Sequence, residues 1–164
     1  MNSFLIYLYN LFIPILPSTR FFAFKRLLLK LCGVKIGHNV RVCSSVKFYG
    51  SGRLSIGDNV WIGHNVCIIS SSMVTIGNNV DIAPEVFITT GSHEIDKYGL
   101  RTAGKGISKD IIIEDGVWLC ARAVILPGVR IGCKSVVAAG GIVTRNIQEM
   151  SLYGGVPVKF IKKI

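Results

Sequence analysis

The sequence predicts an all-β fold, a left-handed parallel β-helix of about five triangular coils with a short N-terminal helical segment and one long loop leaving coil three. The first observation behind this prediction is an apolar residue at every sixth position, a period that fits neither an α-helix nor a single strand. Six residues supply one short strand and one corner, and three such units close a triangle. The fifteen residues of this series are Ile36, Val42, Phe48, Ile56, Ile62, Ile68, Ile76, Ile82, Ile88, Ile113, Leu119, Ile125, Ile131, Val137 and Val143.

Two further observations support the register of the repeat. Glycine follows many residues of the first series, where a missing side chain eases a tight corner. Two extra residues enter at 48–56 and again at 68–76, which places both insertions at the same corner of the triangle. A second apolar or small series lies four residues after the first and comprises Val40, Val46, Val60, Val66, Val80, Val86, Val117, Ala123 and Val129.

Residues 1–33 lie outside the repeat and are predicted to form an apolar and basic helical segment ahead of a β-helix domain at 34–164. The apolar run at 4–16 is shorter than the roughly 20 residues of a membrane-spanning helix. It has neither the basic start nor the small-residue cleavage site of a secretion signal, so we expect none. Residues 19–31 predict a helix that ends at Gly33. The cations of this helix are Arg20, Lys25, Arg26 and Lys30.

Two roles for this N-terminal segment are compatible with each other. In the first, it covers the open end of the first coil. In the second, residues 1–31 present a basic, apolar surface to the inner leaflet of the cell membrane, as interfacial helices do. We therefore expect a cytoplasmic protein, with peripheral contact at the inner face of the membrane as the second role.

The composition narrows the classes of partner. A net charge of +10 and a pI near 9.6 indicate an anionic partner. The repeat holds no basic stripe with interleaved aromatic residues, so nucleic acid is not expected. The five cysteines form no C-x-x-C pair and are predicted to be free thiols. A zinc-dependent carbonic anhydrase on the same fold is a further alternative, and it would need three histidine ligands with one close pair. The three histidines are His38, His64 and His93, which are widely spaced, so no metal is expected.

The period breaks once, and the break is the predicted place for chemistry. A polar, glycine-containing loop at residues 89–112 separates Ile88 from Ile113. Long excursions from a rigid scaffold usually carry function. The loop contains His93, whose imidazole can act as a base near neutral pH.

Several motifs resemble those of the hexapeptide-repeat acyltransferases, in the group that contains galactoside, maltose and xenobiotic O-acetyltransferases. The resemblance covers about residues 34–164. The sequence leading into the repeat is similar to the exopolysaccharide and capsule branch of that group, through Leu16-Pro17, Thr19-Arg20, Lys25-Arg26 and Gly33–Gly37. The motifs within the repeat are Val74–Pro84, Thr90–His93, Asp115–Trp118, Ile125–Val129, Val143–Arg145 and Gly155–Pro157.

The resemblance implies acetyl-coenzyme A as cosubstrate, His93 as the catalytic base and a homotrimer with active sites between subunits. Ser92, Arg101 and Trp118 are implied as acceptor contacts. Coenzyme A contacts are implied at Trp118, Ala121, Ala139, Thr144, Arg145, Lys159 and Lys162, with a backbone N–H near Ala121 stabilising the oxyanion. Cys120 departs from the family, which usually has glycine there, and this departure predicts a narrower donor site.

The preferred function is O-acetylation of a sugar hydroxyl in a cell-envelope polysaccharide or its precursor. The apolar, basic N-terminal segment favours this acceptor, because such polymers are assembled at the inner membrane face. The alternatives are N-acetylation of an amino sugar or nucleotide-linked sugar, and acetylation of a small xenobiotic.

Overall fold

The computed structural model describes all 164 residues and confirms the left-handed parallel β-helix, with five complete coils and a partial sixth. Three short strands form each complete coil. Coil one comprises β1 (Lys35–Ile36), β2 (Arg41–Val42) and β3 (Lys47–Tyr49), and coil two comprises β4 (Arg53–Ile56), β5 (Trp61–Ile62) and β6 (Cys67–Ile69). Coil three comprises β7 (Met73–Ile76), β8 (Asp81–Ile82) and β9 (Phe87–Thr89), and the hairpin strands β10 (Gly91–Ile95) and β11 (Ala103–Ser108) follow it. Coil four comprises β12 (Ile111–Ile113), β13 (Trp118–Leu119) and β14 (Val124–Ile125), coil five comprises β15 (Arg130–Ile131), β16 (Val136–Val137) and β17 (Ile142–Val143), and the last strands are β18 (Ser151–Gly154) and β19 (Lys159–Lys163).

The prism has three flat faces, each a parallel sheet running along the axis. Face A contains β1, β4, β7, β12 and β15. Face C contains β3, β6, β9, β14 and β17. Face B contains β2, β5, β8, β13, β16 and β18, and β19 adds an antiparallel edge strand. The corners between successive faces are named A–B, B–C and C–A below.

The core is a single column of stacked side chains. All fifteen residues of the first series and all nine of the second are buried, as the sequence predicts. Residues at equivalent positions pair directly between coils, for example Ile62 with Ile82 and Ile68 with Ile88. Because each strand adds only one or two inward residues, stability depends on this coil-to-coil stacking.

The glycines at the A–B corner are needed for close approach between coils. A Cβ on Gly57 would lie 2.6 Å from Oδ1 of Asn78. That same oxygen accepts a hydrogen bond from the backbone N–H of Asp58 at 2.8 Å. The left-handed backbone conformation falls two residues later, at asparagines such as Asn59 and Asn79. The glycine therefore makes room for a side chain from the next coil, and asparagine makes the turn.

The two N-terminal helices cover the first coil. Helix α1 spans Ser3–Phe12, a 3₁₀ turn follows at Ile13–Ile15, and α2 spans Phe22–Leu31. Helix α2 begins three residues later than predicted because Phe21 adopts a left-handed conformation (φ 56°). The buried residues Ile6, Tyr9, Ile13 and Leu29 continue the core column. No helix is both long enough and apolar enough to span a membrane.

Hydrogen bonds to the first coil hold the helices in place. The amide of Asn10 donates to the carbonyl of Phe48 at 2.6 Å and accepts from the Phe48 N–H at 3.2 Å. These two hydrogen bonds pair backbone groups of β3, the edge strand of face C, that would otherwise have no partner in the sheet. The Nζ of Lys25 donates to the carbonyls of Ser18 at 2.8 Å and Val42 at 3.1 Å, and it lies 3.5 Å from that of Pro17.

Lys25 corrects one expectation from the sequence. The sequence predicts a basic surface for residues 1–31 with Lys25 among its cations, but the side chain of Lys25 is fully buried. Burial lowers the pKa of its ammonium group. Lys25 therefore ties α2 to the first coil and contributes nothing to the charge of the surface.

Candidate functional site

The predicted loop at 89–112 is a β-hairpin that projects from the C–A corner of coil three. Strands β10 and β11 are antiparallel, with Ser92 opposite Ile107 and His93 opposite Gly106. The register shifts between His93 and Ile95, which marks a β-bulge next to the histidine. The excursion is thus an ordered arm that holds His93 on a strand.

Thr90 fixes the base of this hairpin to the coil below. Its side chain is completely buried, and its Oγ1 accepts from the backbone N–H groups of Ser71 at 2.8 Å and Ser72 at 3.2 Å. Across the base, the N–H of Lys109 donates to the Thr90 carbonyl at 2.9 Å. The hairpin therefore leaves the prism at a defined angle.

The ring of His93 is oriented by a backbone carbonyl. Its Nδ1 lies 2.9 Å from the carbonyl oxygen of Gly104 on the opposite strand. A carbonyl only accepts hydrogen bonds, so Nδ1 carries the proton. In neutral His93, Nε2 is therefore the unprotonated nitrogen, which is the arrangement that a general base needs.

A polar cavity surrounds His93 at the C–A corner. Its volume is about 450 Å³, and Ile107 is its only apolar side chain. Ser92 was predicted here, whereas Ser71 and Ser108 were not. The signal that could have found Ser71 is the pair of extra residues at 68–76, which falls at the same corner as the hairpin.

A second group of predicted residues lies at the B–C corner of coils four and five. Ala121 and Ala139 occupy equivalent corner positions, and the backbone N–H of neither donates to another group in the chain. The equivalent residue of coil three is Pro84, which has no N–H. Coils four and five thus present two free N–H donors about 4.8 Å apart on one edge, which fits an oxyanion and a pantetheine amide.

Trp118 and Cys120 flank this edge. Trp118 is the outward residue of β13 on face B and is half exposed. Cys120 is partly buried at the corner, and burial raises the pKa of its thiol. It therefore remains protonated near neutral pH and is unsuited to nucleophilic attack.

The predicted phosphate-binding cations occupy two places. Lys159 and Lys162 are exposed on β19, three strands from β13 along face B, or about 14 Å away. An extended chain with its thioester end beside Trp118 can reach them. Thr144 and Arg145 lie instead at the C–A corner of coil five, two coils beyond the hairpin of His93. Arg101 is exposed in the loop between β10 and β11.

A single chain does not bring the predicted catalytic residue and the predicted donor-binding residues together. His93 projects from the C–A corner, whereas Trp118 lies on face B, which is the face opposite that corner. Ala121 and Ala139 are at a different corner again. The structure contains no group of three or more His, Cys, Asp or Glu side chains that could hold a metal ion.

Comparison with known proteins also separates the coils of the prism from the hairpin between them. The family model for the hexapeptide repeat of succinyl-transferase matches residues 53–90 and 110–145, which are the coils on either side of the hairpin. A galactoside O-acetyltransferase from Lactococcus lactis is 41% identical over 81 residues, which is 49% of this chain and 39% of that protein. The matched segment thus spans about two fifths of this curated relative.

Two solved structures resemble the chain over nearly its whole length. One is a hexapeptide-repeat-containing acetyltransferase from Vibrio cholerae in complex with acetyl-coenzyme A. It has a TM-score of 0.82 and 31% identity, covering 98% of this chain and 86% of the other. The second is a galactoside acetyltransferase in complex with coenzyme A. It has a TM-score of 0.80 and 31% identity, covering 99% of this chain and 78% of the other.

Proposed function

The chain belongs to the hexapeptide-repeat acetyltransferase family, and we propose that it transfers an acetyl group from acetyl-coenzyme A to a sugar hydroxyl, with His93 as general base. The observation that carries this proposal is the hydrogen bond from Nδ1 of His93 to the Gly104 carbonyl at 2.9 Å. It leaves Nε2 free to accept a proton inside a polar cavity.

The proton balance of the reaction is simple. Nε2 of His93 takes the proton of the acceptor hydroxyl while that oxygen bonds to the thioester carbonyl carbon. The backbone N–H of Ala121 donates to the oxyanion that forms. The carbon–sulfur bond then breaks, and the imidazolium returns its proton to the departing thiolate. No metal or redox group takes part in these steps.

The lining of the cavity supports a carbohydrate acceptor. Three serines face a space with one apolar side chain, which suits a molecule rich in hydroxyl groups better than an apolar xenobiotic. No carboxylate lines the cavity to attract an ammonium group, which favours a hydroxyl over an amine. His93 lies on an exposed hairpin, so a long acceptor has room, in accord with an envelope polysaccharide or its precursor.

The donor is proposed to bind along the B–C corner and face B. The free N–H of Ala139 suits an amide of the extended pantetheine chain, and the exposed ammonium groups of Lys159 and Lys162 suit the phosphates. Thr144 and Arg145 are proposed to hold the adenosine end. Because they lie at a different corner from Ala139, they would do so from a neighbouring subunit or across face C.

A threefold assembly is proposed because it would bring His93 of one subunit to the donor-binding residues of its neighbour. His93 projects from the C–A corner of one prism, and Trp118 lies on face B, on the opposite side of that prism. When prisms pack around a threefold axis, the C–A corner of one subunit can meet face B of the next. The cleft between them would also exclude water from the thioester.

We expect thiol release from acetyl-coenzyme A with hydroxyl-bearing oligosaccharides as acceptors. The measurement is free coenzyme A thiol in a panel of neutral sugars, amino sugars and small xenobiotics, followed by mild alkaline treatment of the product. An ester is cleaved by alkali, whereas an amide is not. An alkali-stable product formed only with amino sugars would overturn O-acetylation.

Mixing two inactive variants tests the intersubunit site. Neither His93→Ala alone nor Trp118→Ala alone is expected to form a complete site. Refolded together at equal amounts, they should recover about a quarter of the wild-type sites, because each site takes His93 from one subunit and Trp118 from its neighbour. Mixtures that stay as inactive as the separate variants would place both residues of each site in the same subunit.

A further inference from the structure

The outer surface of the N-terminal helices is unusually apolar. We define the N-terminal apolar face by nine large side chains that are between 49% and 77% exposed. Single exposed apolar residues are ordinary, but nine on two neighbouring helices and the turns beside them indicate an interaction surface. The nine residues are Phe4, Tyr7, Leu11, Phe12, Ile15, Phe21, Phe24, Leu27 and Leu31.

This face is additional to the contacts that fold the helices. Ile6, Tyr9, Ile13 and Leu29 already pack on the first coil and are buried. Between α1 and α2, a cleft of about 210 Å³ is lined by eight residues, all of them apolar. Phe12 and Leu31 belong to both the cleft and the exposed face. The helices thus present apolar surface on their outer side as well as on their inner side.

The charge around the apolar face has one sign. Residues 1–57 contain eight Lys or Arg residues and no Asp or Glu, since the first acidic residue is Asp58. Lys25 is buried, and Arg26 and Lys47 are partly buried. The exposed cations are Arg20, Lys30, Lys35, Arg41 and Arg53.

We propose that the N-terminal apolar face binds the surface of an anionic phospholipid bilayer. Its aromatic and aliphatic side chains would enter the boundary between headgroups and acyl chains, and the surrounding cations would meet the phosphates. A second copy of the same face is the less suitable occupant, because two cationic rims of this kind repel each other. This inference does not depend on acetyl transfer or on the threefold assembly.

The test uses the full chain and vesicle flotation. Vesicles of phosphatidylcholine with phosphatidylglycerol should carry the protein upward, and vesicles of phosphatidylcholine alone should bind it about tenfold more weakly. The triple variant Phe12→Ser, Leu27→Gln, Leu31→Gln should weaken binding to anionic vesicles by about tenfold or more. The double variant Arg20→Gln, Lys30→Gln removes two of the five exposed cations and should reduce the dependence of binding on salt.

The control is the double variant Tyr98→Ser, Leu100→Gln, which removes two fully exposed apolar side chains from the hairpin loop. It should bind vesicles like the wild type. Far-ultraviolet circular dichroism confirms that each variant is folded. Equal binding of the control and the triple variant would overturn the proposal. The proposal would also be overturned if the wild-type protein did not bind vesicles but self-associated, and if the triple variant abolished that self-association.

Discussion

Replacement of His93 by alanine is expected to lower the turnover of acetyl transfer by roughly 10²- to 10⁴-fold, the usual contribution of a general base. The loss follows from removal of Nε2, the only ring nitrogen that the Gly104 carbonyl leaves free to accept a proton. Affinity for acetyl-coenzyme A should be retained, because the proposed donor contacts at Ala121, Ala139 and Lys162 are on other parts of the prism. Steady-state kinetics and calorimetric binding of coenzyme A separate the two effects.

His38→Ala is the matched control for this variant. His38 is exposed at the A–B corner of coil one, and its side chain makes no hydrogen bond. Only its backbone is bonded, with its N–H donating to Asp58 and its carbonyl accepting from the N–H of Asn59. Its removal should leave turnover unchanged. The assignment of His93 as base is wrong if His93→Ala turns over as fast as His38→Ala. Thermal unfolding of both variants excludes a general loss of structure.

Replacement of Lys25 by methionine is expected to lower the free energy of unfolding by about 1–2 kcal/mol. Methionine fills a similar volume but leaves the carbonyl of Val42 without a donor. The carbonyls of Ser18 and Pro17 keep donors from Ser44, at 3.1 Å each, and lose only their additional bonds to Lys25. Each orphaned buried acceptor costs roughly 1–3 kcal/mol, offset in part because no ammonium group has to be desolvated. Urea denaturation at a fixed protein concentration measures the change.

Lys30→Met provides the comparison within the same helix. Lys30 is exposed in the last turn of α2, so its replacement should change stability by less than about 0.5 kcal/mol. Limited proteolysis should also cleave the N-terminal segment of Lys25→Met faster than that of Lys30→Met. Equal denaturation midpoints for the two variants would show that the buried lysine does not anchor the helix.

The hairpin shows how far sequence reasoning reaches into the site. The break in the period located His93, and Ser92 beside it lines the same cavity. The role of Gly104 was not predictable, because it arises from a contact across the hairpin. Ser71 lies at the same corner of the coil below, and only the two extra residues at 68–76 mark its position in the sequence. Gly104 lies 11 positions from His93 in the sequence, and nothing around it indicates that its carbonyl meets the histidine ring.

The sequence by itself determined the β-helix, its inward-facing residues and the single break, because period six dictates which side chains stack in the core of each coil. Tertiary structure alone decided which nitrogen of His93 is free and that the side chain of Lys25 is buried under the N-terminal helices. It also decided that His93 and Trp118 lie on different sides of the prism. The physical reason is that burial follows a local pattern along the chain. Hydrogen-bond partners and relative direction depend instead on how distant segments meet in space.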